Sequence, residues 1–154
     1  MVLVAYFSKT GNTQSVAERI AEAVSGTTHR ILLKTPYPES YGATVKQAKK
    51  EIQSDFHPEL VDDVAAIEDD VVFIGSPNYC STISPPVASF LAKHDWKGKR
   101  IIPFVTHGGG GIGRAINDIK RFAPGAIVYS PHFYCYGSRS VDKELKDWAE
   151  RAVE

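Results

Sequence analysis

The chain has 154 residues, 43% of them hydrophobic, with 18 Lys plus Arg balanced by 18 Asp plus Glu for a formal net charge of +0. That length and apolar fraction fit one globular domain, residues 1–154, whose core needs neither a structural metal nor a disulfide. The charge balance removes the electrostatic case for nucleic acid or an anionic membrane as partner.

The apolar run Val2-Leu3-Val4-Ala5-Tyr6-Phe7 reads as a first strand and hands over at Ser8-Lys9-Thr10-Gly11-Asn12-Thr13 to a helical pattern, Val16, Ala17, Ile20, Ala21 and Val24, closed by Gly26. Arg30 to Leu33 reads as a short second strand, stopped by Pro36 and Pro38. Val45, Ala48 and Ile52 then mark a polar second helix within residues 35–68, whose pattern is the weakest in the chain. That segment reads as either a second crossover or a lid. Val71-Val72-Phe73-Ile74 is continuously apolar, as a central strand covered on both faces requires, and ends at an irregular segment, Gly75-Ser76-Pro77-Asn78 and onward to Thr82. Pro85 and Pro86 open a third helix carrying Val87, Phe90 and Leu91. Ile101 to Val105 is the fourth strand. Ile112, Ala115, Ile116, Ile119 and Phe122 trace a fourth helix, Ile127 to Tyr134 a fifth strand, and Val141, Leu145, Trp148 and Ala152 a closing helix. Strands alternating with helices predict an α/β fold, a doubly wound parallel sheet.

In such a sheet ligands lie beyond the carboxyl ends of the strands, where the strand order reverses. Three loops meet there. The first is a strand-to-helix junction, where N–H groups without intrahelical partners and the helix macrodipole together attract an anion. It lacks the Gly-Lys-Ser/Thr ending of a P-loop, so a terminal monophosphate suits it better than a triphosphate. The second, Ser76 to Thr82, offers an aromatic ring, a thiol and hydroxyls to a flat heteroaromatic group. The third, Thr106-His107-Gly108-Gly109-Gly110-Gly111, lets backbone approach a ligand closely. A phosphate pocket beside a planar-ring pocket describes a mononucleotide site, and flavin mononucleotide (FMN) is the expected occupant. A Gly-x-Gly-x-x-Gly also occurs at Gly108 to Gly113, but the acidic ribose ligand a dinucleotide site needs about 20 residues on is missing from Ala126 to Phe133.

Ser-x-Thr-Gly-Asn-Thr after the first strand, Ile74-Gly75-Ser76-Pro77 leading to an aromatic, and Ile101-Ile102-Pro103-Phe104-Val105-Thr106 followed by glycines and Ile112-Gly113 resemble the flavodoxin-like FMN proteins over nearly the whole chain. In particular they are similar to a small subgroup whose second loop reads Gly-Tyr-Pro-Ile-Trp-Trp-Gly and whose third reads Thr-Ser-Gly-Gly-Ser-Gly. The resemblance implies a three-layer sandwich around a five-stranded parallel sheet of order 2-1-3-4-5. It also implies that Ser8, Thr10, Gly11, Asn12 and Thr13 hold the FMN phosphate. Tyr79 would lie against the isoalloxazine, with Pro77, Asn78, Cys80, Ser81 and Thr82 lining it, while Thr106, His107, Gly108, Gly109 and Gly110 meet the pyrimidine edge. Ser81 stands where the family often has a glycine that lets a peptide flip toward flavin N5, and a residue with a Cβ resists the positive φ this needs.

Cys80 reads as a pocket-wall thiol rather than a nucleophile, since no histidine or CxxC partner accompanies it, and Cys135 reads as core. The other histidines, His29, His57, His94 and His132, show no metal-ligand spacing, so no metal is expected. Tyr79 and His107 are the candidate proton donors, and His107 can also carry positive charge toward a reduced flavin. Two activities follow from the resemblance: an FMN-dependent oxidoreductase passing electrons from reduced nicotinamide to a quinone-like acceptor, or a one-electron carrier serving a redox partner protein. The neutral net charge and His107 favour the oxidoreductase, because carriers of the family are strongly acidic. A flavin-free binding module is the third class, and the glycine-bearing loops weigh against it. Related quinone reductases need pocket walls from a second subunit, so a homodimer is a candidate assembly, although no dimer stripe is visible. With Lys9, Glu18, Arg19 and Glu22 near the start and no apolar run approaching the ~20 residues of a membrane span, the chain is expected to be cytoplasmic and soluble.

Overall fold

The computed structural model describes residues 1–61, 64–139 and 142–154. Strand β1 (Val2–Tyr6) leads to helix α1 (Asn12–Val24), β2 (Thr27–Arg30), α2 (Tyr41–Gln53) and β3 (Val71–Tyr79). A two-residue β4 (Thr82–Ile83), α3 (Pro85–Lys93), β5 (Arg100–His107), α4 (Ala115–Phe122), β6 (Ile127–Val128), β7 (Phe133–Tyr136) and α5 (Asp142–Ala152) complete the chain.

The central path is β2-β1-β3-β5-β6, with β7 also pairing β5 and every pair along it parallel. With β6 and β7 as two halves of the fifth expected strand, this is the predicted 2-1-3-4-5 order. Alternation along the strands divides the core into two layers. Val4 and Tyr6 of β1, Phe73 of β3, and Ile102 and Phe104 of β5 pack with Val16, Ala17 and Ile20 of α1 and with Leu145 and Trp148 of α5. Ala5 and Phe7, Val72 and Ile74, and Ile101 and Val105 face the other way, against Ala48 of α2, Val87, Phe90 and Leu91 of α3, and Ala115 and Ile119 of α4. Burial on both faces explains why β3 and β5 read as unbroken apolar runs.

Five expectations shift. Strand two lies at Thr27–Arg30 rather than Arg30 to Leu33; Leu33 instead makes an isolated antiparallel bridge with Leu60. The fifth strand is split, because Pro131 falls between β6 and β7 and proline has no N–H for the ladder. The left-handed residue ending α1 is Ser25 (φ +54°), one position before Gly26, whose N–H returns to the Ala21 carbonyl at 2.8 Å. The segment expected to be irregular after Ile74 instead continues as strand to Tyr79 and turns back into β4. Ile112 precedes α4, and Val141 lies outside the described residues.

Candidate functional site

Each of the three loops emerges from the carboxyl end of a strand, on the same side of the sheet. At the first, Gly11 occupies the N-cap of α1 at φ +97° and so has no side chain with which to cap the helix. By contrast, α2 is capped by Ser40, whose hydroxyl accepts from the Ala43 N–H at 3.2 Å. A helix start without a side-chain cap keeps its first-turn N–H groups for an external acceptor. Ser8 is buried and its Oγ accepts from the Gly11 N–H at 3.1 Å, which sets the loop's curvature. Thr10 and Asn12 are exposed and touch each other, Asn12 Nδ2 donating to Thr10 Oγ1 at 3.4 Å. The Thr13 hydroxyl turns inward and bonds to that of Thr106 at 2.7 Å, tying the helix to the end of β5.

The second loop is a tight β-hairpin. Asn78 pairs with Ile83 and Tyr79 with Thr82, leaving Cys80 (φ +54°) and Ser81 (φ +67°) as its two turn residues. Two successive left-handed residues are the signature of a type I′ turn, normally filled by Asn-Gly or Gly-Gly. Here residues with a Cβ adopt it, so the expectation that Ser81 resists positive φ does not hold. The reason is tertiary: the Ser81 carbonyl accepts from the Arg114 N–H at 2.8 Å, and the Thr82 hydroxyl donates to Asp118, which also pairs with Arg114 at 3.5 Å. Pro77 and Asn78 are half-buried, and Asn78 Nδ2 donates to the Gly111 carbonyl at 2.8 Å. Cys80 is a free, half-buried thiol.

Tyr79 is held by an aromatic trio. Its ring lies 6.4 Å from both Phe7 and Tyr37, edge-on to each, and Phe7 and Tyr37 are 6.2 Å apart. Burial pushes the Tyr79 phenol up to about 12. Tyr37 is fixed in turn, its hydroxyl donating to the buried Glu51 carboxylate at 2.6 Å, while Gln47 donates to the other carboxylate oxygen at 3.3 Å. Burial first, and that hydrogen bond second, hold the Tyr37 phenol far above its ordinary range. Residues 35–68 thus supply the back wall of the second loop as well as the crossover to β3. Sequence patterning missed Tyr37 and Glu51; the signal was a tyrosine between two prolines and a lone acid at helical spacing from Ala48.

In the third loop Thr106 is buried, and the His107 imidazole turns back so that Nδ1 accepts from the Gly109 N–H at 3.0 Å. Its ring lies 5.9 Å from those of Tyr134 and Tyr136. Gly108, Gly109 and Gly110 are exposed. Gly113 has φ +53°, and a Cβ there would stand 2.1 Å from the Ser81 carbonyl oxygen, so the third loop folds directly onto the hairpin turn. Of the sequence-predicted residues, Ser8, Thr13, Thr82 and Thr106 have their hydroxyls occupied by protein partners or sheltered from solvent. Thr10, Asn12, Ser81 and the glycines face outward.

A doubly wound domain with an uncapped helix start, an aromatic-backed hairpin and a glycine loop at one sheet end has the architecture of the flavodoxin fold. The family model described as Flavodoxin matches residues 1–152, and the chain belongs to that family. Among solved structures, a candidate flavoprotein from Bacteroides uniformis ATCC 8492 is 28% identical with a TM-score of 0.85, covering 97% of each chain. One from Bacteroides eggerthii DSM 20697 is 27% identical with a TM-score of 0.81, covering 99% of this chain and 98% of its own. A flavoprotein from Lactobacillus acidophilus NCFM, solved in complex with FMN, shares the fold at 20% identity and a TM-score of 0.74, over 96% of this chain and 97% of its own. No curated protein sequence matches the chain. Among the described residues, no helix is long and apolar enough to cross a membrane.

Proposed function

We propose that this chain is an FMN-dependent oxidoreductase that takes electrons from reduced nicotinamide and passes them to a quinone-like acceptor in the cytoplasm. The cofactor is FMN, in keeping with flavodoxin family membership, and once bound it supplies the redox chemistry. The observation that carries the reading is the start of α1, where Gly11 leaves the helix without a side-chain cap beside two loops suited to a planar ring. The first-turn N–H groups of Asn12 and Thr13, with the Thr10 hydroxyl, hold the phosphate. Tyr79, backed by Phe7 and Tyr37, walls the ring together with Pro77, Asn78, Cys80 and Ser81. Thr82 and Thr106 brace that wall from behind, and Gly108 to Gly110 meet the ring's polar edge.

His107 favours the enzyme over the carrier. With Nδ1 committed as an acceptor, the neutral imidazole carries its proton on Nε2, an assignment that follows from the Gly109 hydrogen bond. That N–H offers partial positive charge where a reduced ring accumulates negative charge. A formal net charge of +0 likewise gives no long-range attraction for a basic carrier partner.

The test is an anaerobic reductive titration of the FMN-loaded protein, run beside steady-state quinone reduction by reduced nicotinamide. A single two-electron spectral transition with turnover well above that of free FMN is the expected result. Two separate one-electron transitions without turnover would establish the carrier instead, and failure to retain FMN would remove both readings. For the phosphate site, Thr10→Ala is expected to weaken FMN binding by about three- to tenfold, the worth of one solvent-exposed hydrogen bond, and to leave riboflavin binding unchanged. Equal losses for the two ligands, measured by quenching of flavin fluorescence, would show that the loop does not hold the phosphate.

A further inference from the structure

The anion loop has no lysine in the place a P-loop puts one, and its own Lys9 points away, Nζ donating to the Glu39 carbonyl at 3.2 Å. A cation does stand at the loop, delivered from the neighbouring strand. Arg30 is the last residue of β2, paired in register with Tyr6 at the end of β1, just before the loop begins. Its Nη2 donates to the Ser8 carbonyl at 3.1 Å and its Nη1 to Gln14 Oε1, in the first turn of α1, at 3.4 Å. The guanidinium therefore reaches from the beginning of the loop to the beginning of the helix.

Both of those partners are neutral, and among the described residues no carboxylate lies within ion-pair distance of Arg30. A guanidinium has five N–H donors, and these two contacts leave others unspent. The chain thus holds an oriented cation without a counter-ion beside a helix start without a cap. Each feature favours negative charge over water, and one phosphate dianion would serve both.

We propose that Arg30 supplies the counter-charge for the FMN phosphate bound at Ser8 to Thr13. The inference rests on the reading of that loop as the phosphate site. Arg30 acts through its charge; it belongs to strand two, so the loop motif alone does not disclose it.

The experiment compares FMN and riboflavin dissociation constants for the apo forms of the wild type, Arg30→Gln, Arg30→Lys and Thr10→Ala at low and high ionic strength. Thermal unfolding of each apo form checks that the fold is intact. Arg30→Gln is expected to weaken FMN binding by about five- to tenfold at low salt, as one partly screened charge pair allows, with riboflavin binding unchanged. Arg30→Lys, which keeps the charge, is expected to stay within about twofold of wild type. The gap between wild type and Arg30→Gln is expected to narrow at 1 M salt, where the screening length is about 3 Å. Unchanged FMN affinity in Arg30→Gln, equal losses for FMN and riboflavin, or a loss that Arg30→Lys does not recover would each overturn the proposal. Thr10→Ala separates the two claims. If it lowers the preference for FMN over riboflavin while Arg30→Gln does not, the loop reading stands and only the role of Arg30 falls.

Discussion

Gly113 shows how tightly single residues are specified at the site. Its φ of +53° is a conformation L-residues occupy at a cost, and the Ser81 carbonyl leaves no room for a Cβ. Gly113→Ala is expected to lower stability by about 3 kcal/mol, the sum of left-handed strain and overpacking, read as a lower urea midpoint at unchanged m-value. Tyr79 sets a pH dependence. Its folded pKa of about 12 is above the ordinary 10.0, so the folded state holds the phenolic proton more tightly than the unfolded chain. The resulting stability is complete below pH 10 and is lost as pH rises toward 12, by about 2 kcal/mol once partial solvent access is allowed for. Tyr79→Phe is expected to flatten the decline of melting temperature across that window, leaving the share due to Tyr37. The outward-facing candidate residues were picked out by motif spacing. Arg30, Tyr37 and Glu51 were not, because their importance comes from cross-strand register and a buried hydrogen bond, neither of which leaves a periodic trace.

The secondary-structure elements were legible wherever burial imposed a pattern. β3 and β5, covered on both faces, read directly from apolar runs, and α1 from its amphipathic stripe. β2 was misplaced because the edge strand Thr27–Arg30 is polar and mostly exposed, while the apolar Ile31, Leu32 and Leu33 beside it lie beyond the ladder. The β3–β4 hairpin was missed because its turn, Cys80-Ser81, lacks the glycine or asparagine that marks such turns. What replaces intrinsic turn preference is support from α4, through Arg114 and Asp118. Thr82→Val is expected to cost about 1–3 kcal/mol, since it leaves the largely buried Asp118 carboxylate short of a donor, and to loosen the turn locally. Faster amide hydrogen exchange at Cys80 and Ser81, beyond the global change, is the measurement that separates the local effect from general destabilisation.

At the scale of the whole molecule, two core layers pack on opposite faces of one sheet, and the three candidate loops lie beyond the strand ends. A ligand that binds only the folded chain stabilises it by about 2.7 kcal/mol at a hundred times its dissociation constant. For a chain of this length that corresponds to a rise of about 5–10 °C in melting temperature, expected for FMN and checked by calorimetry at increasing FMN concentration. The Thr13–Thr106 hydroxyl pair joins positions 93 residues apart, and Asn78 reaches Gly111 across 33. The first contact spans the two halves of the chain and the second joins the end of β3 to the loop after β5, so no fragment that ends before Gly111 contains the whole cradle. Flavin added to a refolding chain therefore acts as a completion signal: its emission should stay bright through collapse and helix formation, and darken only when β5 has docked.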